Sequence, residues 1–370
     1  MTDSLTDSLT AVLARWTLFL PPAAAVLLAL VWGRSLPPVV VALAGLALVG
    51  AVLAAVHHAE VVAHRVGEPM GSLVLAVAVT IIEVALIVTL MADSGAKNAT
   101  LARDTVFAAV MITCNGIVGL CLLVGALRTR VAVFNPEGTG AALATVATLA
   151  TLSLVLPTFT TSTPGPRFSS TQLVFASLAA LVLYGLFVTT QTVRHRDYFL
   201  PPEAGGGPLE PEEHADLPSR RAAVISLSLL LLALVAVVGL AKTVSPTIES
   251  GVTRAGLPAS VMGVVIAMLV LLPETIAALR AARRNQVQTG LNLALGSAMA
   301  SIGLTIPAVA VASIWLSGPL ILGLGATHLV LLALTVTVGI LTVVPGRATP
   351  LQGGVHLSIL AGYVVLAVSP

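Results

Sequence analysis

Two glutamates occupy the middle of long apolar stretches, where an ionised side chain is energetically costly. Of the sixteen acidic residues, only Glu83 and Glu274 fall at the centre of runs long enough to cross a bilayer. A charge at that depth costs at least about 2.5–3.5 kcal/mol on insertion scales, so residues of this kind generally serve a function. Either a proton or a bound cation removes the charge of a desolvated carboxylate. Protons and cations are therefore expected to compete for the oxygens of these two side chains.

Further oxygen donors lie close to both glutamates in the sequence. Thr80 precedes Glu83 by three residues and shares its helix face, although a hydrogen bond within the helix is an equally good reading of its hydroxyl. Pro273 directly precedes Glu274 and has no N–H, so the carbonyl of Leu269 loses its helical partner. That carbonyl is predicted to bind a cation, and the alternative is a proline kink filled by a neighbouring helix.

Two stretches rich in small residues follow the glutamate-bearing runs. Each combines glycine or alanine with amide or hydroxyl side chains, which let helices approach closely and form hydrogen bonds between them. We predict that their polar side chains contribute to cation and proton binding, and helix packing is the alternative role. The residues are Asn115 in the first stretch and Asn292, Ser297 and Ser301 in the second.

The composition predicts a polytopic membrane protein. The chain is 57% hydrophobic and only 9% charged, whereas soluble domains carry about 25% charged residues. The apolar runs are continuous rather than alternating, which indicates helices. A net charge of +2 gives no reason to expect nucleic acid as a partner, so membrane lipid, the transported cations and protons are the expected partners. Eleven spans are predicted, near residues 16–32, 37–56, 71–91, 105–127, 139–158, 171–192, 222–245, 258–280, 290–315, 318–343 and 354–369.

Lysine and arginine are unevenly distributed between the loops. With eleven spans, twelve of the eighteen basic residues lie on one side of the membrane and six on the other. The side richer in Lys and Arg is generally cytoplasmic. We therefore predict an inner-membrane protein with its N-terminus in the cytoplasm and its C-terminus outside. The oligomeric state does not follow from these patterns.

A repeated pattern divides the chain into four regions. Gly67-Glu68-Pro69 leads into the helix of Glu83, and Gly256-Leu257-Pro258 leads into the helix of Glu274. Two units of five helices have opposite orientations, an architecture typical of secondary transporters. An acidic segment rich in Pro and Gly separates them and reads as a solvated linker, with regulation as an alternative. The predicted regions are an N-terminal segment with the first span (1–36), two five-helix repeats (37–193 and 222–370) and a cytoplasmic linker (194–221).

The stretches Gly67–Met91 and Gly263–Ser313 resemble the ChaA-type calcium:proton antiporters of the calcium/cation antiporter superfamily. The likeness extends over nearly the whole chain. It implies an all-α fold with a leading helix and two inverted five-helix repeats. It also implies exchange of Ca²⁺ for protons, with Glu83 and Glu274 as shared carriers and metal ligands, and no resident cofactor. Relatives carry an Asn-Ala pair before each glutamate, which this chain lacks, and Ala300 stands near the position of a common glutamine. Fewer fixed oxygens favour exchange of Na⁺ or K⁺ as the alternative.

The sequence gives less support to two other classes of function, a channel and an intramembrane enzyme. A channel commonly carries rings of charge or filter loops built by oligomers, whereas one carboxylate in each inverted half fits alternating access better. An intramembrane enzyme would need a catalytic set of His, Asp or Cys at membrane depth, and the middle of the spans offers two glutamates. The chain is therefore predicted to be a transporter and not an enzyme.

Overall fold

The fold consists almost entirely of apolar helices. The computed structural model describes residues 16–34, 36–67, 70–94, 99–202, 218–258, 260–316 and 318–369. The helices are α1 (Trp16–Val31), α2 (Pro38–Val66), α3 (Met70–Ser94), α4 (Leu101–Thr129), α5 (Pro136–Phe159), α6 (Ser170–Arg194), α7 (Arg220–Arg254), α8 (Ser260–Val270), α9 (Leu272–Arg283), α10 (Val287–Ala312), α11 (Ala326–Val343) and α12 (Pro350–Val368).

The helix lengths confirm the all-α, polytopic membrane fold. Within the described residues, eight helices are long and apolar enough to cross a membrane, and there are nine if α8 and α9, which meet at 53°, are counted together as one bent span. The shorter apolar helix α1 (Trp16–Val31) and the apolar stretch Ala76–Ala92 of α3 add to these. Their positions follow the spans expected from the sequence. Several helices continue past the predicted span, as α2 does to Val66, because the residues that follow the span do not disfavour a helix.

The chain divides by packing into two compact units. The first unit comprises the described residues of 1–89 and 214–250, and the second comprises those of 90–213 and 251–370. Each unit contains residues from both halves of the sequence, whereas each predicted repeat lies within one half. The division therefore does not test the two repeats, which stay a prediction. Most of the predicted acidic linker, residues 203–217, lies outside the described residues.

In the first unit, α1 packs on α2 and α7 through glycines. A side chain added at Gly50 of α2 would collide with Leu20 of α1, and one added at Gly239 of α7 would collide with Leu28. The two leucines are eight residues apart and therefore lie near one face of α1. The glycines thus allow the leading helix to approach its neighbours closely.

A buried histidine connects the same three helices. His58 of α2 is 1% exposed, and its Nε2 lies 2.9 Å from the carbonyl oxygen of Thr17 in α1. The helical partner of that carbonyl would be the N–H of residue 21, which is Pro21 and has none. Nε2 therefore donates to a carbonyl that has no helical N–H partner because of the proline. Nδ1 then accepts from the Ser226 hydroxyl of α7, 3.3 Å away.

Substitution of His58 by Phe is expected to destabilise the protein by about 1–3 kcal/mol, because the Thr17 carbonyl loses its donor in a buried place. The measurement is the melting temperature of the purified protein in detergent. His57→Phe is the matched control, since the neighbouring ring is exposed. In a Pro21→Ala background the restored N–H should reduce the cost of His58→Phe. Equal losses in both backgrounds would contradict this explanation.

In the second unit, α4 and α10 form the centre. α4 is almost entirely buried, and α8, α9, α10 and α12 all pack against it. α10 additionally contacts α5 and α6. A short antiparallel ladder joins β1 (Ala132–Val133), just after α4, to β2 (Arg347–Ala348), which precedes α12. The unit therefore ties helices of the first half directly to helices of the second.

The predicted tenth span, 318–343, is wrong at its beginning, because the helix starts at Ala326. Residues 318–325, which we call the strap, are not helical and contain Gly318, Pro319, Gly323 and Gly325. Glycine and proline disfavour a helix here. Backbone hydrogen bonds from Ile321 to Ala99, from Gly323 to Pro166 and from Leu324 to Leu154 replace helical ones. Because residues 318–325 are largely apolar, hydropathy did not distinguish them from the helix that follows.

The surface of the helices is apolar. Large exposed side chains such as Phe19, Phe175 and Leu341 are typical of a lipid-facing surface. The three tryptophans lie at helix ends, with Trp16 at the start of α1, Trp32 just beyond its end and Trp315 just beyond α10. Tryptophan is enriched at membrane interfaces, so these positions agree with the span boundaries.

Candidate functional site

Glu83 is held inside α3 of the first unit. Its side chain is 4% exposed. Thr80, one turn earlier, is also buried, as the shared face required, and so is Ile82 beside it. The side chain thus lies in the protein interior, on a helix that is otherwise strongly apolar. A buried acid in such a helix needs a proton, a hydrogen-bond partner or a cation to offset its charge.

Glu274 lies in the second unit at the point where a span is broken. α8 ends at Val270 and α9 begins at Leu272, and the two segments meet at 53°. Pro273 and Glu274 are the second and third residues of α9. A carboxylate in the first turn of a helix faces its free N–H groups and the positive end of its dipole. The sequence signal of the proline thus corresponds to a true break in the helix.

The break also removes the usual N–H partner of one backbone carbonyl group, that of Leu269. Pro273 offers no N–H to Leu269, and the last turn of α8 ends at Val270, three residues before that proline. Leu269 itself is half-buried. Broken helices in membrane proteins provide carbonyl oxygens to cations where they line a cavity. The structure is therefore compatible with Leu269 as a ligand, which stays a prediction.

The remaining predicted site elements of the second unit pack around this break. The segment Ile112–Ile117 of α4 is a π-helical turn with Asn115 near its centre, and π-helical turns recur at functional sites. Both α9 and α10 contact this turn. Close packing at Gly290, whose added Cβ would lie 2.8 Å from the Cys121 sulfur, brings α10 against α4. The helices of Glu274, Asn115 and Ser297 therefore meet in one place.

Asn115 is fully buried and its amide is engaged on both sides. Its Nδ2 donates to the hydroxyl of Thr335 in α11 at 2.9 Å. Its Oδ1 lies 3.2 Å from Nδ1 of His356 in α12, and Nε2 of that ring lies 3.2 Å from the Thr342 hydroxyl. Asn115 thus connects α4 to the last two helices. Its predicted contact with a cation remains a prediction.

A small cavity adjoins this polar chain. Thr139, Thr335, Thr342 and His356 are its main polar lining, and mostly apolar side chains of α4, α5, α10 and α11 line the rest. About 20 Å³ is open to the centre of a water molecule, which is room for about one. The polar chain therefore borders an open space rather than a fully packed core.

Asn292 takes part in a different network near the beginning of α10. Its Nδ2 donates to the carbonyl of Phe199, and its Oδ1 accepts from Gln288 at 2.8 Å. The Gln288 oxygen in turn accepts from the backbone N–H of Asn135 at 2.7 Å. These bonds hold the 3₁₀ turn Arg196–Phe199 and the start of α5 against α10. The structure thus supports the packing alternative for Asn292 without testing its predicted role in cation binding.

The two serines of α10 differ in their surroundings. Ser301 is 4% exposed, and Ser297 is half-buried. Gly296, next to Ser297, has open space where a Cβ would point. Small residues at this part of α10 therefore leave room beside the helix, as expected for a face that a cation could approach.

Sequence reasoning missed a buried ion pair at the beginning of α4. Arg103 and Asp104 lie 2.7 Å apart and are 16% and 5% exposed. Asp104 also accepts from the Thr100 hydroxyl at 2.8 Å, and Arg103 donates to the carbonyl of Gly323 in the strap at 3.2 Å. The pair lies next to Gly263, where an added Cβ would meet the backbone of Asp104. An adjacent Arg-Asp pair just before an apolar run was the available signal.

Comparison with known proteins gives a consistent result. A sequence model described as "sodium/calcium exchanger protein" matches residues 36–193 and 225–369. The chain is 48% identical over 359 residues to y4hA of Sinorhizobium fredii, covering 96% of each chain. It is 34% identical over 348 residues to the sodium-potassium/proton antiporter ChaA of Escherichia coli, covering 93% of this chain and 94% of the other.

Solved structures of similar fold point the same way. Native YfkE superposes with a TM-score of 0.71 at 16% identity, covering 95% of this chain and 99% of the other. The H⁺/Ca²⁺ exchanger CAX superposes with a TM-score of 0.66 at 13% identity, covering 95% and 92%. These two matches concern the fold alone.

Proposed function

The chain belongs to the sodium/calcium exchanger protein family and is a multi-pass cation antiporter rather than an enzyme, and we propose that it exports Ca²⁺ in exchange for H⁺. The observation that carries the proposal is the pair of acids within apolar helices. Glu83 is buried in α3, and Glu274 stands at the break between α8 and α9. The family resemblance found in the sequence is confirmed by these comparisons.

In the proposed mechanism, protons and cations occupy the same carboxylates at different times. Without a cation, each carboxyl group holds a proton, because its charged form is poorly solvated. A bound cation supplies the opposite charge and displaces the protons. One divalent ion replacing two protons would leave the two carboxylates neutral overall, which sets a minimal exchange of one Ca²⁺ for two H⁺.

Two carboxylates supply at most four oxygens, whereas Ca²⁺ takes about six to eight. The further donors proposed are Thr80 beside Glu83, the Leu269 carbonyl at the helix break, and Ser297 and Ser301 on α10. Asn115 and Asn292 complete the predicted set. The hydrogen bonds of Asn115 to α11 and α12 keep its amide in one orientation, which favours a defined donor over a mobile one.

Exchange of Na⁺ or K⁺ for protons is a second candidate with a specific observation in its favour. The Escherichia coli relative that is 34% identical over nearly the whole chain is named a sodium-potassium/proton antiporter. A monovalent cation needs fewer fixed oxygens and would replace one proton. A passive cation channel remains a third and weaker alternative.

Proteoliposomes with a pH-sensitive dye inside test the proposal. A proton gradient is imposed, and Ca²⁺, Na⁺, K⁺ or Mg²⁺ is added in turn. The proposal expects Ca²⁺ to dissipate the gradient fastest. A faster response to Na⁺ or K⁺ would favour the second candidate, and cation current without proton movement would favour a channel. If no cation moves protons, the antiport proposal is wrong.

We place the chain in the inner membrane, with its N-terminus in the cytoplasm and its C-terminus outside. The excess of Lys and Arg on one set of loops supports this orientation. A cysteine added at the C-terminus should react with a membrane-impermeant maleimide in intact spheroplasts. Labelling only after the membrane is opened would reverse the orientation.

A further inference from the structure

His356 occupies an unusual position for a histidine. It lies within the apolar helix α12 and is only 2% exposed. Both ring nitrogens meet polar side chains, Nδ1 the amide of Asn115 and Nε2 the hydroxyl of Thr342, and the backbone carbonyl of Cys114 is a further acceptor for the ring. Burial of a polar ring at this depth costs free energy unless hydrogen bonds replace those it would make with water. The question is whether function depends on the bond of Nδ1 to Asn115 or on the bond of Nε2 to Thr342.

The chain of hydrogen bonds fixes the direction of each donor. The Thr335 hydroxyl lies 2.8 Å from the carbonyl of Leu331, four residues earlier in α11, and donates its proton there. It must therefore accept from Asn115, so that the nitrogen of this amide faces α11. The oxygen of Asn115 then faces His356, whose Nδ1 carries the proton. Nε2 is left as the acceptor for Thr342.

We propose that His356 is a positioning residue for cation exchange, which acts by holding the oxygen of Asn115 through Nδ1. The amide lies in the π-helical turn that α9, the helix of Glu274, contacts. Rotation of the amide would exchange its oxygen and nitrogen and would replace an acceptor by a donor. The bond that Nδ1 donates to the oxygen and the bond that Thr335 accepts from the nitrogen together oppose that rotation, whereas the bond that Nε2 accepts from Thr342 holds the ring.

The packing of the ring makes the two bonds separable by substitution. Gly119 of α4 meets the Cβ of His356, so the backbone of α12 is placed without help from the ring. The ring itself borders the small cavity, which can accept a change of side-chain size. The side-chain amide of asparagine ends at the δ position and that of glutamine at the ε position. His356→Asn therefore keeps a donor for Asn115, and His356→Gln keeps an acceptor for Thr342.

The inference rests on the proposed function, and its test uses the same proteoliposomes loaded with the full-length chain. We expect His356→Gln to raise the KM for the transported cation about tenfold, the effect of one lost hydrogen bond. His356→Asn should stay within about twofold of the native KM, although it is the smaller side chain. A packing role predicts the reverse order, because glutamine fills the space better. Equal KM values for the two variants would overturn the inference.

Two further variants separate positioning from folding. Thr335→Val is close in shape and removes the acceptor of the Asn115 nitrogen while leaving His356 in place, so its KM should rise as well. A native KM for Thr335→Val would overturn the inference even if the histidine variants failed to fold. In an Asn115→Ala background, His356→Gln should have no further effect on KM, and an additive loss would contradict the proposal. Absence of exchange in the native protein would instead refute the proposed function itself.

Discussion

Glu274→Gln is expected to reduce cation-driven proton flux at least about 100-fold, which corresponds to about 2.7 kcal/mol. The substitution keeps the shape of the side chain but removes its charge and its exchangeable proton. Loss of one partner from a fully buried charge pair costs about 3–5 kcal/mol, which is an upper bound for the half-buried Glu274, so the cation should bind much more weakly. The initial rate of dye response at a fixed proton gradient measures this effect, and Glu83→Gln should behave in the same way.

A matched control distinguishes this result from a general effect of removing an acid. Glu137 is exposed in the first turn of α5, and Glu137→Gln should leave the flux unchanged. Glu274→Asp keeps the charge on a shorter side chain and should retain part of the flux. A native rate in Glu274→Gln would show that this carboxylate lies off the pathway of both ions.

Gly353→Ala is expected to destabilise the protein by about 1–3 kcal/mol, the usual cost of overpacking a tightly packed interior. A Cβ at this position would lie 2.6 Å from the backbone nitrogen of Leu123 and 2.8 Å from its Cα. Backbone atoms cannot move aside as a flexible side chain can, so α12 would have to shift away from α4. Because Gly353 is one turn before His356, the shift should also weaken exchange. Melting temperature and flux measure the two effects.

The neighbouring glycine provides the control for this prediction. Gly354 has no atom within 4 Å of an added Cβ, and Gly354→Ala should be neutral or slightly stabilising because alanine favours the helix. Equal melting temperatures for the two variants would mean that α4 and α12 do not approach each other as closely as the structure shows.

The sequence alone was sufficient for the all-α membrane fold and for identifying two acids within apolar runs, whose role as carriers stays a prediction. Uninterrupted apolar runs specify helices in lipid, and a lone acid within such a run is visible without any knowledge of its neighbours. Pro273 likewise indicated a break, since its missing N–H acts on its own helix. Each of these signals is local.

The features that could not be predicted depend on distant partners. Asn115 was visible as a polar residue, but its hydrogen-bond partners are far away in the sequence. Thr335 follows it by 220 positions and His356 by 241. No local pattern distinguishes an amide that binds a cation from one held by other helices. The strap was missed because hydropathy cannot separate an apolar helix from apolar extended chain whose backbone groups are satisfied elsewhere.

These long separations have a consequence for biosynthesis. A ribosome releases α4 long before α11, α12 and the strap exist, so the nascent chain carries Asn115 and the Arg103–Asp104 pair into the membrane without several of their later partners. Unpaired polar groups are costly in lipid, and water, lipid headgroups or an insertion chaperone must satisfy them meanwhile. The second unit can be completed only after α12 has been translated. A chain that stops before α12 should therefore be recognised by membrane proteases rather than accumulate as a smaller transporter.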